Sequence, residues 1–319
     1  MTKINICFIG IGGVGGYFGG SIVQNIMEYH LSDQYTTFFI SRDQNFQEIK
    51  ENGLLFESNG SMLKCVPDII LDNIADLPMV MDICFICCKS YGLEDILPLL
   101  KEKIHENTII IALMNGIEND LTIRKTIKRG FILPACIYVT SHLLSPGHIR
   151  HNGPKGKIIL GNDRHRELPT PNILSNLLSV CNISYEWSAN PQIDIWKKYM
   201  LIASFGLISA FYDKTMGEIC DDTIMLQEVK DIMYEIVSIA HKKGIGLHVN
   251  EIEQSCELVK QYPYNTKTSF QLDIEKKKQC ESDIFALKII QLGMETDVLT
   301  PITCRIYHSL RQREPSGIV

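Results

Sequence analysis

Long apolar runs are missing from this sequence. Hydrophobic residues make up 45% of its 319 residues, yet no run approaches the roughly 20 residues that cross a bilayer. The opening, MTKINICFIG, also lacks the layout of a signal peptide, because its apolar segment runs directly into glycines. The sequence therefore predicts a cytoplasmic protein with no membrane partner.

An excess of positive charge and a cysteine pattern for metal binding are missing as well. The net charge of −6 argues against a nucleic-acid partner bound through a basic surface. The eleven cysteines are scattered, and the one C-x-x-C match, Cys84 to Cys87, lies in a segment that resembles a buried strand. Residues three apart on a strand point to opposite faces. We therefore expect no metal site and cysteines that pack as small hydrophobic side chains.

A short apolar strand, INICFIG, leads into a glycine-rich turn that matches G-x-G-x-x-G at Gly10, Gly12 and Gly15. The first glycine permits a tight turn, the second lets the backbone approach a pyrophosphate, and the third lets the helix pack against the strand. A turn of this kind after a strand and before a helix predicts a dinucleotide site. Its cofactor-binding residues are Gly10, Ile11, Gly12, Gly13, Val14 and Gly15.

The acidic residue that would bind a free ribose 2′-hydroxyl is missing from the end of the second strand. The strand, Thr37 to Ile40, is followed by Ser41 and Arg42. A hydroxyl and a guanidinium suit a 2′-phosphate, so NADP(H) is favoured over NAD(H). The alternative is that Arg42 is a surface residue of a turn, paired with Asp43.

Strand signals nearly vanish in the second half of the chain. The first half alternates strands and helices, including three strands predicted between Phe131 and Gly161 with turns at Pro146-Gly147 and Pro154 to Gly156. From Asn190 onward the pattern favours helices alone, at Gln192 to Tyr212, Thr223 to Gly244, Asn250 to Gln261, Asp273 to Leu292 and Pro301 to Arg311. The predicted fold is α/β, with a Rossmann domain over residues 1–189 and an all-helical domain over 190–319.

Two adjacent lysines, Lys197 and Lys198, begin a helical segment that is otherwise almost entirely apolar. An ammonium group is costly to bury unless it is paired or used in chemistry. Reduction of a ketone builds negative charge on oxygen, which a nearby ammonium can stabilise and protonate. The alternative is an ion pair between Asp194 and Lys198 on an exposed helix face.

Over essentially its whole length the chain resembles the ketopantoate reductases. The resemblance rests on the order and spacing of GIGGVG, Arg42, CCKS, MNGIEN, SPGHIRHNG, WKK, TSFQLDIEKKKQCESD and LTPITCRIYHSL. It implies a Rossmann domain followed by a helical domain like that of 6-phosphogluconate dehydrogenase. It also implies NADPH-dependent reduction of ketopantoate to pantoate, a step of pantothenate and coenzyme A biosynthesis.

The resemblance assigns roles to five further positions. It implies that Lys198, two residues after Trp196, is the general acid and contacts the substrate. Asn115 matches an asparagine that lies between nicotinamide and substrate, and Lys89 a lysine near the cofactor. Ser269 matches a serine that binds the substrate carboxylate. Glu281 matches an acid that contacts the cofactor and helps to orient the lysine.

Several asparagines that family members carry are absent here. Ile202 and Gly206 stand four and eight residues after Lys198, and Met216 replaces a third asparagine. A pocket without those amides should discriminate less strongly for a polar hydroxy-keto acid. Two alternatives follow: a reductase of a more apolar 2-oxo acid, and a non-catalytic NADP(H)-binding sensor. The apolar helical domain could also support a homodimer.

Overall fold

Alternating strands and helices fill the first half of the chain in the computed structural model, which describes residues 3–169, 172–275 and 282–313. The chain divides into two compact units, Met1–Pro191 and Gln192–Val319; the sequence placed this boundary after Ala189. The strands of the first unit are β1 (Ile4–Ile9), β2 (Tyr35–Ile40), β3 (Leu54–Ser58), β4 (Ser61–Cys65), β5 (Ile69–Leu71), β6 (Met81–Ile86), β7 (Ile104–Ala112), β8 (Phe131–Leu133), β9 (Ala135–Tyr138), β10 (Ser141–Ser145), β11 (His148–His151), β12 (Lys157–Leu160) and β13 (Ser184–Trp187). Its helices are α1 (Gly13–Glu28), α2 (Asp43–Asn52), α3 (Leu93–Lys101), α4 (Asn119–Thr126) and α5 (Ile173–Val180).

A parallel sheet of six strands forms the centre of the first unit, in the order β5-β2-β1-β6-β7-β8. Both of its faces are covered, so its strands are mostly apolar rather than alternating between apolar and polar residues. Along β1, Ile6 and Phe8 join the core on one face of the sheet, whereas Cys7 and Ile9 join the core on the other. This sheet confirms the predicted α/β domain.

Two smaller sheets complete the first unit, in the orders β10-β11-β3-β4 and β13-β12-β9. The prediction of three strands between Phe131 and Gly161 is wrong, because the structure has five there. Pro134 divides the first predicted strand, since proline cannot donate to a sheet ladder. As a result β8 pairs with β7 in the large sheet, and β9 pairs with β12.

Helices make up the second unit as far as the structure describes it. They are α6 (Pro191–Tyr212), α7 (Met216–Asp221), α8 (Thr223–Lys242), α9 (Asn250–Val259), α10 (Ser269–Glu275), α11 (Lys288–Thr296) and α12 (Pro301–Arg313), with a π-helical turn at Asp283–Leu287. The all-helical prediction is confirmed. The short helix α7 was not predicted, and the helix predicted over Asp273 to Leu292 differs in its described parts, which form the end of α10, the π-helical turn and the start of α11.

None of the described helices combines the length and the hydrophobicity that crossing a membrane requires. Of the two cysteines in the C-x-x-C match, Cys84 lies in β6, whereas Cys87 follows that strand and is partly buried. Cys7 and Cys84 have no exposed surface, and burial raises the pKa of the Cys84 thiol far above its ordinary value. Across the described ranges, no group of three or more metal-ligating side chains is close enough to hold an ion.

Candidate functional site

Two glycines of the turn between β1 and α1 lie very close to other backbone atoms. Gly10 has φ +94°, and a Cβ on it would lie 2.8 Å from the backbone nitrogen of Cys88. A Cβ on Gly15 would lie 2.0 Å from the carbonyl oxygen of Gly10. Both positions therefore require glycine, for the turn and for helix packing respectively.

Gly12, in contrast, faces open space. A Cβ there would meet nothing within 4 Å, and Gly12 caps α1 without a side-chain hydrogen bond. No acidic residue occupies the first turn of the helix, so no carboxylate competes there for the backbone N–H groups. Ile11 is buried, and Gly13 and Val14 are partly buried. A partly exposed backbone at a helix N-terminus, with open space beside Gly12, suits a pyrophosphate group.

The predicted site residues of the first unit follow four adjacent strands of the large sheet. Arg42 follows β2, Gly10 follows β1, Lys89 comes three residues after β6 and Asn115 three residues after β7. Because these strands are parallel, their carboxyl ends lie at one edge of the sheet. The order of connection reverses between β1 and β6, which is where open α/β sheets bind ligands.

Arg42 and Ser41 differ in their exposure. Arg42 is exposed at the start of α2, so its guanidinium is available to a phosphate. Ser41 is 5% exposed, and its Oγ accepts a hydrogen bond from Asn45 Nδ2 at 2.7 Å. A hydroxyl that accepts one hydrogen bond can still donate its own proton, so the role of Ser41 and Arg42 at a 2′-phosphate stays a prediction.

In the second unit the two adjacent lysines of α6 have different surroundings. Lys197 is partly exposed and forms an ion pair with Glu251 of α9. Lys198 is 8% exposed and is the only buried lysine among those that the structure describes. Its helix neighbours Trp196 and Tyr199 are buried too. Burial without exposure to bulk water is the setting in which an ammonium is most costly unless it has a role.

The face of α6 that carries Lys198 is apolar over its next two turns. Ile202 is partly buried, and Gly206 is buried against Phe270 of α10, to whose Cβ a Gly206 Cβ would lie 3.7 Å. Phe270 in turn packs edge-to-face on Phe285 with ring centroids 5.4 Å apart. Gly206, one of the positions where the resemblance implies an asparagine, therefore lies beside an aromatic cluster.

Ser269 is the first residue of α10 and is exposed. The residue before it, Thr268, is buried and ties the start of α10 to α6, because its Oγ1 lies 2.8 Å from Ser209 Oγ. Ser209 also donates to the carbonyl oxygen of Gly206 at 3.0 Å. Sequence analysis missed this link, which brings Ser269 beside the helix that carries Lys198.

Ser204 and Ser209 of α6 are both fully buried. Ser209 is engaged as described, and Ser204 is fully buried with a hydroxyl that has no hydrogen-bond partner within the described ranges. Met216 is also buried, at the first position of α7. Glu281, predicted to contact the cofactor, lies outside the described residues.

The Gly217-Glu218 pair that follows Met216 belongs to a capped helix start. Thr215 Oγ1 accepts from the Glu218 backbone N–H at 3.3 Å, and Glu218 Oε2 accepts from the Thr215 N–H at 2.8 Å. Lys214 Nζ donates to the same carboxylate at 2.8 Å. The hydrogen bond from Lys214, and next that from the Thr215 amide, lower the pKa of Glu218 from 4.5 to about 2.

Glu218→Gln should therefore flatten the acid dependence of stability. Since the folded-state pKa is below the unfolded value, the carboxylate stabilises the fold above about pH 4.5, and this contribution is lost between pH 4.5 and about 2. Thermal unfolding at a series of pH values from 7 to 2.5 measures this contribution. Glu218→Gln should have a lower Tm than the wild type at pH 7, and its Tm should fall less as the pH is lowered. Glu295→Gln, at a 59% exposed side chain, is the control with the same charge change. Parallel Tm curves for wild type and Glu218→Gln would contradict this assignment.

Comparison with known proteins identifies the family of this chain. Two family models match, Ketopantoate reductase PanE/ApbA over residues 6–165 and Ketopantoate reductase PanE/ApbA C terminal over residues 190–314. The uncharacterized oxidoreductase YkpB of Bacillus subtilis (strain 168) is 23% identical over 306 residues, which cover 96% of this chain and 97% of that protein.

Two further likenesses concern a curated enzyme and a solved structure. The 2-dehydropantoate 2-reductase of Lactococcus lactis subsp. lactis (strain IL1403) is 23% identical over 305 residues, covering 93% of this chain and 94% of that enzyme. A structure of D-mandelate dehydrogenase with NADH and anilino(oxo)acetate has a TM-score of 0.86 at 21% identity, over 98% of both chains; this likeness concerns the fold. Because the two family models together span most of its length, the chain belongs to the ketopantoate reductase PanE/ApbA family, a family of oxidoreductases.

Proposed function

We propose that the protein is an NADPH-dependent reductase that converts a 2-oxo acid into a 2-hydroxy acid. The observation that carries this proposal is the burial of Lys198, which is 8% exposed. A lysine that the fold buries is a candidate for chemistry rather than for surface charge.

The first unit would hold the dinucleotide. The turn from Gly10 to Gly15 would receive the pyrophosphate, and Arg42 would bind a 2′-phosphate. Lys89 and Asn115 would lie toward the nicotinamide, since they follow strands on the other side of β1 from Arg42. Glu281 stays a prediction as a further cofactor contact. When bound, the nicotinamide would supply the hydride.

Lys198 would act on the carbonyl oxygen of the substrate. As the carbonyl carbon is reduced, negative charge grows on that oxygen, and the ammonium would stabilise the charge and then donate its proton. Ser269 would bind the substrate carboxylate through its hydroxyl, and Asn115 would contact the substrate as well as the cofactor. The exposure of Ser269 leaves its hydroxyl free to bind a ligand.

Ketopantoate is the first candidate substrate, because curated 2-dehydropantoate 2-reductases match the chain over most of its length. A second candidate, a more apolar 2-oxo acid, is favoured by the surroundings of Gly206. A Cβ on Gly206 would make only ordinary contacts, at 3.7 and 3.9 Å from Phe270. Backbone packing does not force glycine at this helix position, where glycine costs roughly 0.5–1 kcal/mol relative to alanine. The small residue leaves room that an apolar substrate group could use.

Gly206→Asn should therefore shift specificity toward ketopantoate. Phenylglyoxylate serves as the apolar 2-oxo acid for comparison. The added amide can hydrogen-bond a hydroxyl of ketopantoate, so the ratio of kcat/KM for ketopantoate to kcat/KM for phenylglyoxylate should rise at least about tenfold. Gly206→Ala is the control, because it fills the same space without an amide and should leave the ratio nearly unchanged. An equal shift in both variants would mean that bulk, rather than hydrogen bonding, sets specificity here.

A homodimer remains part of the proposal. Apolar side chains are exposed in the helical unit, with Met294 at 79% and Leu299 at 88%. Burial of such side chains against a second copy of the chain would remove apolar surface from water.

A further inference from the structure

Asn45, in the first turn of α2, joins three separate segments of the first unit. Its Nδ2 donates to the carbonyl oxygen of Ile11 at 2.8 Å and to Ser41 Oγ at 2.7 Å. Its Oδ1 accepts from the backbone N–H of Gly147 at 2.7 Å. The amide nitrogen thus has two acceptors and the oxygen one donor, an arrangement that fixes the orientation of the side chain.

The hydrogen bond from Asn45 to the Ile11 carbonyl fixes the orientation of the peptide between Ile11 and Gly12, which a pyrophosphate would approach. The Ile11 carbonyl and the Gly12 N–H belong to one planar trans peptide, in which the two groups point in opposite directions. A carbonyl held toward Asn45 therefore turns the Gly12 N–H away from Asn45. Gly12 is also the residue of the turn with open space around it.

The hairpin β10–β11 supports the same turn. A Cβ on Gly13 would lie 2.3 Å from the carbonyl oxygen of Ser141, so the hairpin backbone packs directly on the start of α1. At the tip of the hairpin, Gly147 is bound by Asn45 and would place a Cβ 2.4 Å from Glu48 Cγ. The glycine-rich turn is therefore held between α2 and the hairpin, and the Asn45 amide connects all three.

We propose that Asn45 is a positioning residue for the dinucleotide. It sets the peptide plane that presents the Gly12 N–H, and it holds the turn in register with the segment of Ser41 and Arg42. This inference rests on the proposed binding of a nicotinamide dinucleotide. Asn45 would act through the pyrophosphate turn, which NADPH and NADH share, so its loss should weaken the binding of both nucleotides.

Asn45→Ala tests the inference in the full-length protein. Titration of nicotinamide fluorescence gives Kd for NADPH and for NADH, and both should rise about five- to tenfold, the equivalent of about one hydrogen bond. In steady state, KM for the nucleotide should rise while kcat stays the same. Asn52→Ala is the matched control: it lies on the same helix, and its Nδ2 donates to Glu48 Oε1 of that helix at 2.8 Å.

Asn45→Asp separates the two ends of the amide and serves as the second variant if alanine prevents folding. Aspartate keeps an acceptor for Gly147 but loses the donors to Ile11 and Ser41. It should weaken both nucleotides at least as much as alanine does. Retained affinity in Asn45→Asp would overturn the inference, because the contact with the hairpin alone would then be sufficient.

Two further results would overturn it. Unchanged Kd values in Asn45→Ala would remove the positioning role, and weaker NADPH binding with unchanged NADH binding would place the effect on the 2′-phosphate instead. Failure of the wild type to bind either nucleotide is a different result, because it would contradict the proposed function itself and remove the inference with it.

Discussion

Lys198→Ala should lower kcat by at least about 10²-fold, the usual scale for loss of a general acid. The buried ammonium is the group proposed to protonate the carbonyl oxygen, and alanine supplies neither charge nor proton. The Kd for NADPH should change little, since the dinucleotide is proposed to bind to the first unit. Stopped-flow measurement of NADPH oxidation separates the chemical step from nucleotide binding.

The adjacent lysine offers a matched control. Lys197→Ala removes the same kind of side chain one residue earlier, but it breaks an ion pair with Glu251 at a partly exposed position. Its kcat should stay within about threefold of the wild type, because partly exposed ion pairs contribute little. Similar losses in both variants, or full activity in Lys198→Ala, would contradict the role proposed for Lys198. Lys198→Met, which keeps most of the side-chain volume, guards against a packing effect.

Arg42→Ala should weaken NADPH binding by about tenfold to a hundredfold and leave NADH nearly unaffected. A hydrogen bond to a charged group contributes about 1.5–3 kcal/mol, and only NADPH has the 2′-phosphate that Arg42 is proposed to bind. The exposure of the side chain at the end of β2 leaves the guanidinium available to that phosphate. Kd values for both nucleotides measure the effect.

Arg129→Ala is the control for this pair of titrations. Arg129 belongs to the same unit and is partly exposed, and it donates to the carbonyl oxygen of Lys101 at 2.7 Å, away from the sheet edge of Arg42. The Arg129→Ala substitution removes one positive charge and leaves the proposed phosphate site unchanged. Equal losses for NADPH in both variants would reduce the Arg42 effect to general electrostatics, and a loss of NADH affinity in Arg42→Ala would contradict a role at the 2′-phosphate.

Much of the fold was predictable because local pattern and tertiary role agree. The strand β1 is apolar on both faces and runs into glycines that the turn requires, so strand, turn and helix all had local signals. The hairpin of β3 and β4 also had a signal that was missed. Its Asn59-Gly60 turn has φ values of +47° and +84°, and Asn-Gly favours tight hairpins. At Pro134 the predicted strand divides into β8 and β9, which pair with different strands. The choice of partner strand depends on distant segments and has no local signal.

The candidate site was less predictable, because its features depend on contacts between segments that are distant in the sequence. From the residues alone, Lys197 and Lys198 are equivalent, because the burial of one and the Glu251 partner of the other arise only when distant segments pack. Asn45 carried no signal at all, since two of its three partners lie 34 and 102 residues away. The surroundings of Gly206 likewise depend on Phe270, which folds back from a later helix.

The most direct test of the account is the oxidation of NADPH by the purified wild type with ketopantoate and with phenylglyoxylate. The account predicts turnover of at least one of the two, with formation of the 2-hydroxy acid in equal amount to the NADPH consumed. Tight NADPH binding without turnover of either acid would contradict the reductase proposal and favour a non-catalytic NADP(H)-binding sensor.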